Sequence, residues 1–395
     1  MPAPPVVAHL LERLTVGGAE MMAVRLAAAR AAGGRPTFVY ALQGGGALAA
    51  RLTPPIGLRE LDIARASVSR PLAWLTSLRD GRRRLLAQLE ADRVGVVQTH
   101  LPEANFWGLW LALSRRVNVV ATVHSNDEFS YGPADAAWRR ALRRRAYRLV
   151  LGRCHATVAV SDSVRASLIE DLALGEHLAA RILVVPNAVD LPPPLSTEER
   201  AALRASLGAG DARPLVVGAG RLSSQKNFRD LVAAAEMLRD QGVDALTVIA
   251  GTGAEADTLA ADIARRSLTD RVKLLGVRDD LGLLFQAADL FVSTSLLEGL
   301  PLVLLEAMAG GCAVVGYRIA GVADLVEDGR QGRLVEPGRV ADLATAIVSL
   351  LADPQQRQRC GAAGRNLVAE RYDLSRAVAS LERLYERVDG AGTQC

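Results

Sequence analysis

Short apolar runs alternate along the chain with longer stretches in which apolar and polar residues recur at helical spacing. In the first half, the apolar runs are residues 6–11, 38–42, 94–99, 117–123 and 158–161. Such short runs are typical of strands buried on both faces of a parallel sheet. The stretches between them, such as residues 21–32, predict helices. Strand and helix in alternation predict an α/β fold whose parallel strands are joined by right-handed crossovers.

A second series of the same kind begins after a break in the pattern. Proline-rich residues 184–194 interrupt the alternation and predict a linker. The strands predicted beyond it are residues 214–220, 246–250, 272–275, 290–295, 313–316 and 332–335. Because 395 residues exceed the size of one ordinary core, the sequence predicts two domains, residues 1–188 and 189–373. An amphipathic helix is predicted over residues 374–388.

Composition supports this architecture and disfavours several other classes of protein. Half of the residues are hydrophobic and only 4% are aromatic. The four cysteines lack the spacing of a zinc site or a disulfide framework, which favours a reducing compartment. No apolar run approaches the ~20 residues of a membrane-spanning helix, and the N-terminus lacks the pattern of a signal peptide. We therefore expect a soluble, cytoplasmic protein.

Positive charge is concentrated in the first half of the chain. Residues 1–190 contain 24 arginines and no lysine against 16 acidic residues. Two clusters stand out, Arg82–Arg84 and residues 138–148, and the second combines its arginines with Trp138 and Leu142 at helical spacing. A basic amphipathic helix is either a solvated face or a contact with an anionic membrane surface. Nucleic acid is disfavoured as a partner, because aromatic side chains are not interleaved as stacking platforms.

Two carboxylates, Glu298 and Glu306, bracket seven residues that follow a predicted strand. Gly299 and Pro301 place Glu298 in the loop and Glu306 in the second turn of the helix that follows. Ligands of open α/β sheets bind outside the carboxyl ends of the strands. The pair is therefore placed to hold a polyhydroxy ligand, although two charges near a helix N-terminus also have a purely structural reading.

Two glycine-rich turns are candidate phosphate sites. Residues 218–227, Gly-Ala-Gly-Arg-Leu-Ser-Ser-Gln-Lys-Asn, follow a strand and precede a helix. Backbone amides and the helix dipole favour phosphate at such a turn, where Arg221 can fork onto oxygens and Lys226 adds a point charge. Lys226 is one of only two lysines in the chain. Gly17 and Gly18 occupy the equivalent turn of the first domain, where an ordinary tight turn is the alternative.

A third glycine turn and a histidine follow other predicted strands. Gly251, Gly253 and Ala256 match G-x-G-x-x-[GA], which alone would indicate a dinucleotide site. Such a fingerprint normally opens the first βαβ unit of its domain, whereas this one follows the second strand. His124 lies at the carboxyl end of its strand. Its role is either that of a hydrogen-bonded polar residue without a ligand or that of a residue that contacts a ligand. Asn126 and Asp127 are further acceptor-side candidates.

Together these motifs resemble those of the retaining GT-B glycosyltransferases, and in detail those of glycosyltransferase family 4 (group 1). Residues 295–309 resemble the E-x7-E signature of that family, residues 218–227 its G-R-L-x-x-x-K-[GN] loop, and residues 17–20 its GGAE loop. The resemblance implies two Rossmann-like, doubly wound domains that face a central cleft. The first would be the acceptor-side domain, with the final helix, residues 374–390, packed back on it. The second would bind the nucleotide-sugar donor.

The resemblance also implies a role for each site residue. Arg221 and Lys226 would bind the donor diphosphate, Glu298 the hydroxyl groups of the donor sugar, and His124 would lie near that sugar. Glu306 would hold the ribose hydroxyl groups. The remaining donor-binding candidates are Gly17, Gly18, Gly220, Gly251, Gly253, Val277, Arg278, Gly299 and Leu300.

The implied activity is hexosyl transfer with retention, from a nucleoside-diphosphate sugar to a glycan or lipid-linked acceptor of envelope or polysaccharide biosynthesis. UDP is favoured over GDP, and neither a metal nor another cofactor is implied. The basic helix would place the protein on the inner face of the membrane. Two positions depart from the family pattern, Ala188 in Pro-Asn-Ala-Val and Leu374 in place of an aromatic residue. A GT-B sugar-nucleotide hydrolase or epimerase, an NAD-dependent Rossmann oxidoreductase and a non-catalytic nucleotide-sugar binder remain alternatives.

Overall fold

The chain divides into two compact units, each built on its own parallel sheet. A computed structural model describes residues 4–63, 71–114, 116–126, 128, 136–210 and 212–392. Unit 1 comprises Met1–Asn187 together with Leu374–Cys395, and unit 2 comprises Ala188–Asp373. The two predicted runs of alternating strands and helices correspond to these two sheets, and the predicted α/β fold class is confirmed.

Within the described part of unit 1, seven parallel strands form one sheet in the order β3-β2-β1-β4-β5-β6-β7. They are β1 (Val7–Leu11), β2 (Thr37–Ala41), β3 (Gly57–Glu60), β4 (Val96–His100), β5 (Asn118–Val123), β6 (Ala156–Ala159) and β7 (Ile182–Val184). The helices are α1 (Gly18–Ala32), α2 (Pro71–Ala91), α3 (Leu101–Ser114), α4 (Ala137–Arg153), α5 (Asp162–Asp171) and α6 (Glu176–Ala179), with a 3₁₀ turn at Ala49–Arg51. The strand order reverses between β1 and β4, which makes that position the switch point of the sheet.

Unit 2 repeats this architecture with six strands in its described part, in the order β10-β9-β8-β11-β12-β13. The strands are β8 (Leu215–Ala219), β9 (Leu246–Ala250), β10 (Val272–Gly276), β11 (Leu290–Ser293), β12 (Ala313–Tyr317) and β13 (Gly332–Val335). The helices are α7 (Thr197–Leu207), α8 (Phe228–Asp240), α9 (Ala256–Arg265), α10 (Leu281–Ala287), α11 (Leu302–Ala309), α12 (Ala320–Ala323), α13 (Val340–Ala352) and α14 (Pro354–Arg371). Here the switch point lies between β8 and β11.

The final helix, α15 (Leu374–Gly392), belongs to unit 1 although it follows unit 2 in sequence. It packs on α1 and buries Leu381, Leu384 and Tyr385. Arg30 of α1, 2% exposed, donates from Nε to Glu382 Oε1 over 2.7 Å. An apolar face and a buried ion pair therefore hold the C-terminal helix against the first sheet.

Several element boundaries differ from the sequence predictions for local reasons. The strand predicted at 158–161 is Ala156–Ala159, because Ser161 caps α5 by accepting a hydrogen bond from Val164 N (3.1 Å). The strand predicted at 290–295 ends at Ser293, and the helix predicted at 21–32 begins at Gly18. β3 and β7 were not predicted: β3 is not fully buried, and β7 adjoins the proline-rich segment. None of the described helices has the length and apolar character needed to cross a membrane.

Candidate functional site

The loops that follow β8 and β11 meet at the switch point of unit 2 and are joined by hydrogen bonds. Leu296 N donates to Gln225 O over 2.8 Å, and Gln225 Nε2 donates to Leu297 O over 2.8 Å. Thr294 Oγ1 donates to Lys226 O over 2.9 Å. The loop that carries Lys226 and the loop that carries Glu298 therefore form a single surface at the edge where ligands bind in this class of sheet.

Lys226 and Glu298 form an ion pair across this junction. Lys226 Nζ donates to Glu298 Oε1, and the two side chains are 18% and 10% exposed. An ion pair with so little solvent around it is stronger than one on an open surface. The structure thus brings together two of the predicted site residues. Glu306 lies in the second turn of α11, as predicted, and is half-buried.

Arg221 is exposed at the same turn and has no ion-pair partner among the residues that the structure describes. It follows Gly220, whose φ of +145° lies in a region that side chains rarely adopt. A Cβ at Gly220 would lie 3.3 Å from Lys226 Cε. Glycine at this position therefore lets the Lys226 side chain lie over the turn towards Glu298.

The turn after β9 interlocks with the turn after β8. Gly220 N donates to Ala250 O and Leu222 N donates to Thr252 O, both over 2.9 Å. A Cβ at Gly251 would lie 1.9 Å from Gly220 O, and a Cβ at Gly253 would lie 2.3 Å from Leu222 O. Both glycines are thus required by the packing of one turn on the other. The nucleotide contacts predicted for Gly251 and Gly253 stay predictions.

The remaining unit 2 candidates lie on neighbouring loops. Val277 is 57% exposed, and Arg278 Nε donates to Asp280 Oδ1 over 2.7 Å, which raises the pKa of Arg278 and lowers that of Asp280. Leu300 is buried. Gly321, at the start of α12, approaches so closely that its Cβ would lie 2.6 Å from both Glu298 O and Gly299 O. The backbone of residues 298–300 therefore packs tightly against the start of α12.

The predicted phosphate turn of unit 1 has room beside it. Gly17 is the N-cap of α1 in an extended conformation, and a Cβ added at Gly18 would meet no atom within 4 Å. Glu20 turns inwards and accepts from Thr15 Oγ1 over 2.8 Å, which gives it a structural role. The donor contacts predicted for Gly17 and Gly18 stay predictions.

His124 follows β5 and begins a row of three buried histidines. His124 Nε2 lies 3.1 Å from His100 Nδ1, and His100 Nε2 lies 3.1 Å from His9 Nδ1. Burial lowers the pKa of His124 to about 4, that of His100 well below its ordinary value, and that of His9 to about 3 with help from the charge of Arg30. All three imidazoles are therefore neutral near pH 7.

A buried network fixes the backbone at His124. Glu128 Oε1 accepts from His124 N over 2.8 Å, and Tyr147 of α4 donates to Glu128 Oε2. Asn105 Nδ2 in turn donates to the Tyr147 hydroxyl over 2.9 Å. Burial raises the pKa of Glu128 to about 7. Asp127, the other acceptor-side candidate beside Asn126, lies outside the described residues.

Sequence reasoning missed His9, His100, Glu128 and Tyr147. For His100 a signal was present, since it ends β4 as His124 follows β5, and ends of neighbouring parallel strands meet at one edge. His9 lies inside β1, and Glu128 reaches Tyr147 across 19 positions, so neither is marked by a local pattern.

The basic helix predicted at 138–148 is α4, and it has one buried and one exposed face. Tyr147, Val150 and Leu151 are buried, whereas Trp138, Leu142 and Leu149 are 65%, 61% and 53% exposed. The positions of these three exposed residues place them on one side of the helix. In the part of the chain that is described, no group of three or more His, Cys, Asp or Glu side chains is arranged to hold a metal ion.

Two protein families match successive parts of the chain. Residues 16–192 match "Glycosyltransferase Family 4", and residues 199–367 match "Glycosyl transferases group 1". Alpha-D-kanosaminyltransferase of Streptomyces kanamyceticus is 30% identical over 277 residues, which are 69% of this chain and 71% of that protein. The 2-deoxystreptamine glucosyltransferase of the same organism is 28% identical over 356 residues, 87% of this chain and 86% of that protein.

Solved structures agree with this assignment at the level of the fold. HepE of Anabaena, in complex with UDP and glucose, superposes with a TM-score of 0.81 at 23% identity, over 97% of this chain and 99% of that one. Sucrose-phosphate synthase of Thermosynechococcus elongatus superposes with a TM-score of 0.82 at 20% identity, over 98% of this chain and 100% of that one. The chain belongs to the group 1 glycosyltransferases of glycosyltransferase family 4 and has their GT-B fold.

Proposed function

We propose that the protein transfers a hexose from a nucleoside-diphosphate sugar, with UDP preferred over GDP, to a glycan or lipid-linked acceptor with retention of configuration. The observation that carries this proposal is the joined surface of unit 2, where Arg221, Lys226 and Glu298 lie on loops at the switch point of the sheet. Two cations and a carboxylate on one surface match the charges and hydroxyl groups of a sugar diphosphate, which supports the proposal. Crystals of HepE with UDP and with UDP and glucose support the choice of nucleotide.

The cations would act on the leaving group. As the bond from C1 to the diphosphate oxygen breaks, negative charge grows on the diphosphate, and fixed cations stabilise it without reorganisation. The exposed guanidinium of Arg221 can fork onto two oxygens, and Lys226 adds a point charge. These two residues would supply the stabilisation that a metal ion gives in other transferases, so we propose a reaction that requires none.

The carboxylates would hold the donor. Glu298 would accept from hydroxyl groups of the sugar and Glu306 from those of the ribose. For retention we propose attack on the face that the diphosphate leaves. The acceptor oxygen then bonds to C1 while its proton passes to the departing diphosphate oxygen, so the step balances without an enzyme nucleophile.

The test is a comparison of turnover in Arg221→Ala and Lys226→Ala, with UDP-hexoses as donors and with EDTA present. Loss of one charge-stabilising group should lower kcat about 100-fold. Arg229→Ala is the matched control. Arg229 is the second residue of α8 and is 55% exposed, and its guanidinium lies 3.7 Å from the Glu255 carboxylate, which makes a weak ion pair. Full activity in the Arg221/Lys226 double variant would refute the assigned site. Loss of wild-type activity in EDTA would refute the metal-independent reaction.

A nucleotide panel separates this function from its alternatives. Saturating ligand at about 100 times its Kd stabilises a protein by about 2.7 kcal/mol, so thermal shifts with UDP, GDP, ADP, NAD and NADP report the base directly. Release of UDP at the same rate with and without acceptor would indicate a hydrolase. Because a relative with high coverage is named for transfer to 2-deoxystreptamine, the acceptor panel should include aminocyclitols beside lipid-linked glycans.

We further propose that α4 holds the protein on the cytoplasmic face of an anionic membrane. Its exposed Trp138, Leu142 and Leu149 can enter the interface while the surrounding arginines face the headgroups.

Each cation near such a surface contributes ~1 kcal/mol. Arg139, Arg145 and Arg148 changed together to Gln should therefore weaken binding to anionic vesicles at least 100-fold and leave UDP binding unchanged. The exposed Arg359 and Arg371 of α14, changed in the same way, serve as control. Unchanged vesicle binding in the α4 variant would reject the membrane contact.

A further inference from the structure

Three neighbouring strands bring three histidines onto one face of the unit 1 sheet. His9 lies within β1, His100 ends β4 and His124 follows β5, with His9 in register with Gln98 and His100 in register with Thr122. Successive rings stand 5.4 and 5.3 Å apart between centroids. Gln98 lies on the same face, but its amide has hydrogen-bond partners other than the histidines. It donates to Thr122 Oγ1 over 2.7 Å and accepts from the Tyr385 hydroxyl. The three rings therefore form their own chain of contacts.

The chemistry of a neutral imidazole links the protons of the three rings. Each ring has one N–H donor and one bare nitrogen acceptor. His100 uses both of its nitrogens, so it must donate to one neighbour and accept from the other. Only two arrangements satisfy both contacts. In the first, His9 donates to His100 and His100 donates to His124, so the proton of His124 is on Nδ1. In the second, His124 donates to His100 and His100 donates to His9, so the proton of His124 is on Nε2.

A nearby charge selects between these arrangements. The charge of Arg30 contributes, after burial, to the lowered pKa of His9, and it is not among the causes of the lowered pKa of His100 or His124. A row of hydrogen bonds has a dipole whose negative end is the bare nitrogen at its start. That end is favoured next to a cation, so the bare nitrogen belongs at His9 and the proton at His124 Nδ1.

Both ends of the row are buried polar atoms without a hydrogen-bond partner among the described residues, His9 Nε2 inside the sheet and His124 Nδ1 at its carboxyl edge. His124 Nδ1 is inaccessible to solvent and makes no hydrogen bond to any residue that the structure describes. A donor buried without a partner is costly, and such atoms in native proteins usually have a function. His124 stands at the carboxyl edge of the sheet, where ligands of this fold class bind.

We propose that His100 and His9 are positioning residues that hold His124 as its Nδ1–H tautomer, so that Nδ1 donates a hydrogen bond to a hydroxyl oxygen of the carbohydrate substrate. This inference rests on the proposed function, because His124 can contact a carbohydrate only if the protein binds one as proposed. His100 acts through contact with the His124 ring, and His9 acts through His100. The Glu128 carboxylate fixes the backbone of His124, while the histidine row fixes its ring and its proton.

The tautomer can be read directly from long-range ¹H–¹⁵N spectra of histidine-labelled protein, with no need for activity. The chain has five histidines, so the His124 signals can be assigned by their loss in His124→Asn. The wild type should show a protonated Nδ1 and a bare Nε2 at His124. His100→Leu should release the ring towards the Nε2–H form. His100→Asn, whose amide can donate from the position of Nδ1, should restore the wild-type signals.

Activity provides the second readout. His100→Leu should lower kcat for transfer about tenfold or more, with Asn at this position recovering most of it, while KM for the donor changes little. In a His124→Ala background the same change should have no further effect, as expected for a residue that acts through another. His9→Leu, which removes the far contact, keeps the test available if His100→Leu does not fold.

A protonated Nε2 at His124 in the wild type, or an unchanged tautomer in both His100→Leu and His9→Leu, would overturn the positioning role whatever the protein transfers. A failure of the proposed function is recognised differently. In that case the tautomer behaves as expected but no donor is turned over. Full transfer activity of His124→Ala would overturn the substrate contact of Nδ1.

Discussion

Lys226 forms an ion pair with Glu298, a carboxylate of its own unit, so a donor diphosphate bound as we propose would compete with Glu298 for that ammonium group. Glu298 is in the reciprocal situation, because we propose that it binds the sugar hydroxyl groups, yet its carboxylate is paired with the cation that we propose binds phosphate. The proposed binding of phosphate to Lys226 and of the sugar to Glu298 would therefore be coupled, since each contact requires the same ion pair to open. UDP, which lacks the donor hexose, would gain from the release of Lys226 but would leave the Glu298 carboxylate without a partner.

Glu298→Gln should consequently have opposite effects on two ligands. We expect the affinity for UDP to rise several-fold, because a neutral amide competes weakly for Lys226. We expect kcat/KM for transfer to fall about 10- to 100-fold, as a charge-assisted hydrogen bond to the sugar is lost. Calorimetry with UDP and steady-state kinetics measure the two. Glu306→Gln is the control, since a ribose contact predicts weaker binding of UDP, and weaker UDP binding in Glu298→Gln would contradict this coupling.

At the scale of elements, the geometry of the candidate site depends on turns that pack tightly against one another. The turn after β9 packs into the turn after β8, and the segment at Gly299 is clamped by α12. Residues that carry no chemistry thereby position those that do. Gly251 shows this most clearly, because its φ is +138° and its Cβ position coincides with a neighbouring carbonyl oxygen.

Gly251→Ala should therefore damage both stability and donor binding. The backbone conformation disfavours a side chain, and the carbonyl of Gly220 must move, so we expect a loss of at least ~1–3 kcal/mol in the free energy of unfolding. Because the displaced turn carries Arg221, UDP affinity should fall with it. Urea unfolding and calorimetry check the two effects. Gly282→Ala within α10 is the matched control, since its Cβ meets no atom within 4 Å, and equal behaviour of the two variants would reject the interlocked turns.

The sequence predicted most strands and the motifs of the phosphate loop because both are local patterns. Strands such as Leu246–Ala250 and Gly332–Val335 have the predicted bounds, since a short apolar run between polar turns marks them at both ends. The Lys226–Glu298 pair joins positions 72 apart, and the row of His9, His100 and His124 needs the strand order of the sheet. No spacing along the chain encodes such contacts, so pairing across the sheet could not be predicted from the motifs.

At the scale of the whole molecule, unit 1 depends on the last helix of the chain. Arg30 is almost fully buried and bonds to Glu382, to Thr37 Oγ1 over 2.9 Å and to Pro5 O over 2.7 Å. Desolvation lowers the pKa of this guanidinium, and the carboxylate of Glu382 opposes the effect. A buried cation of this kind is tolerated only while its partner is present.

Glu382→Ala should lower the free energy of unfolding by about 3–5 kcal/mol, because it leaves the charge of Arg30 buried without a carboxylate. Glu386 lies on the same helix as Glu382, is 55% exposed and pairs with Arg35, so it supplies the control. Glu386→Ala should cost no more than about 1 kcal/mol. Denaturant unfolding of the two variants measures the difference. Similar losses in the free energy of unfolding would show that the buried Arg30–Glu382 pair does not stabilise the packing of α15.

The discontinuity of unit 1 has a consequence for the order in which the newly made protein acquires its shape. Unit 2 occupies an uninterrupted stretch, Ala188–Asp373, so all of it is available to fold once that stretch has left the ribosome. Unit 1 starts first but lacks α15 until Leu374–Gly392 has been synthesised. Until then the buried Arg30 and the apolar surface under α15 are uncovered, so the half made first is the half finished last. A chain that ends at Asp373 and has been released from the ribosome should therefore be protease-resistant in unit 2 and sensitive in unit 1.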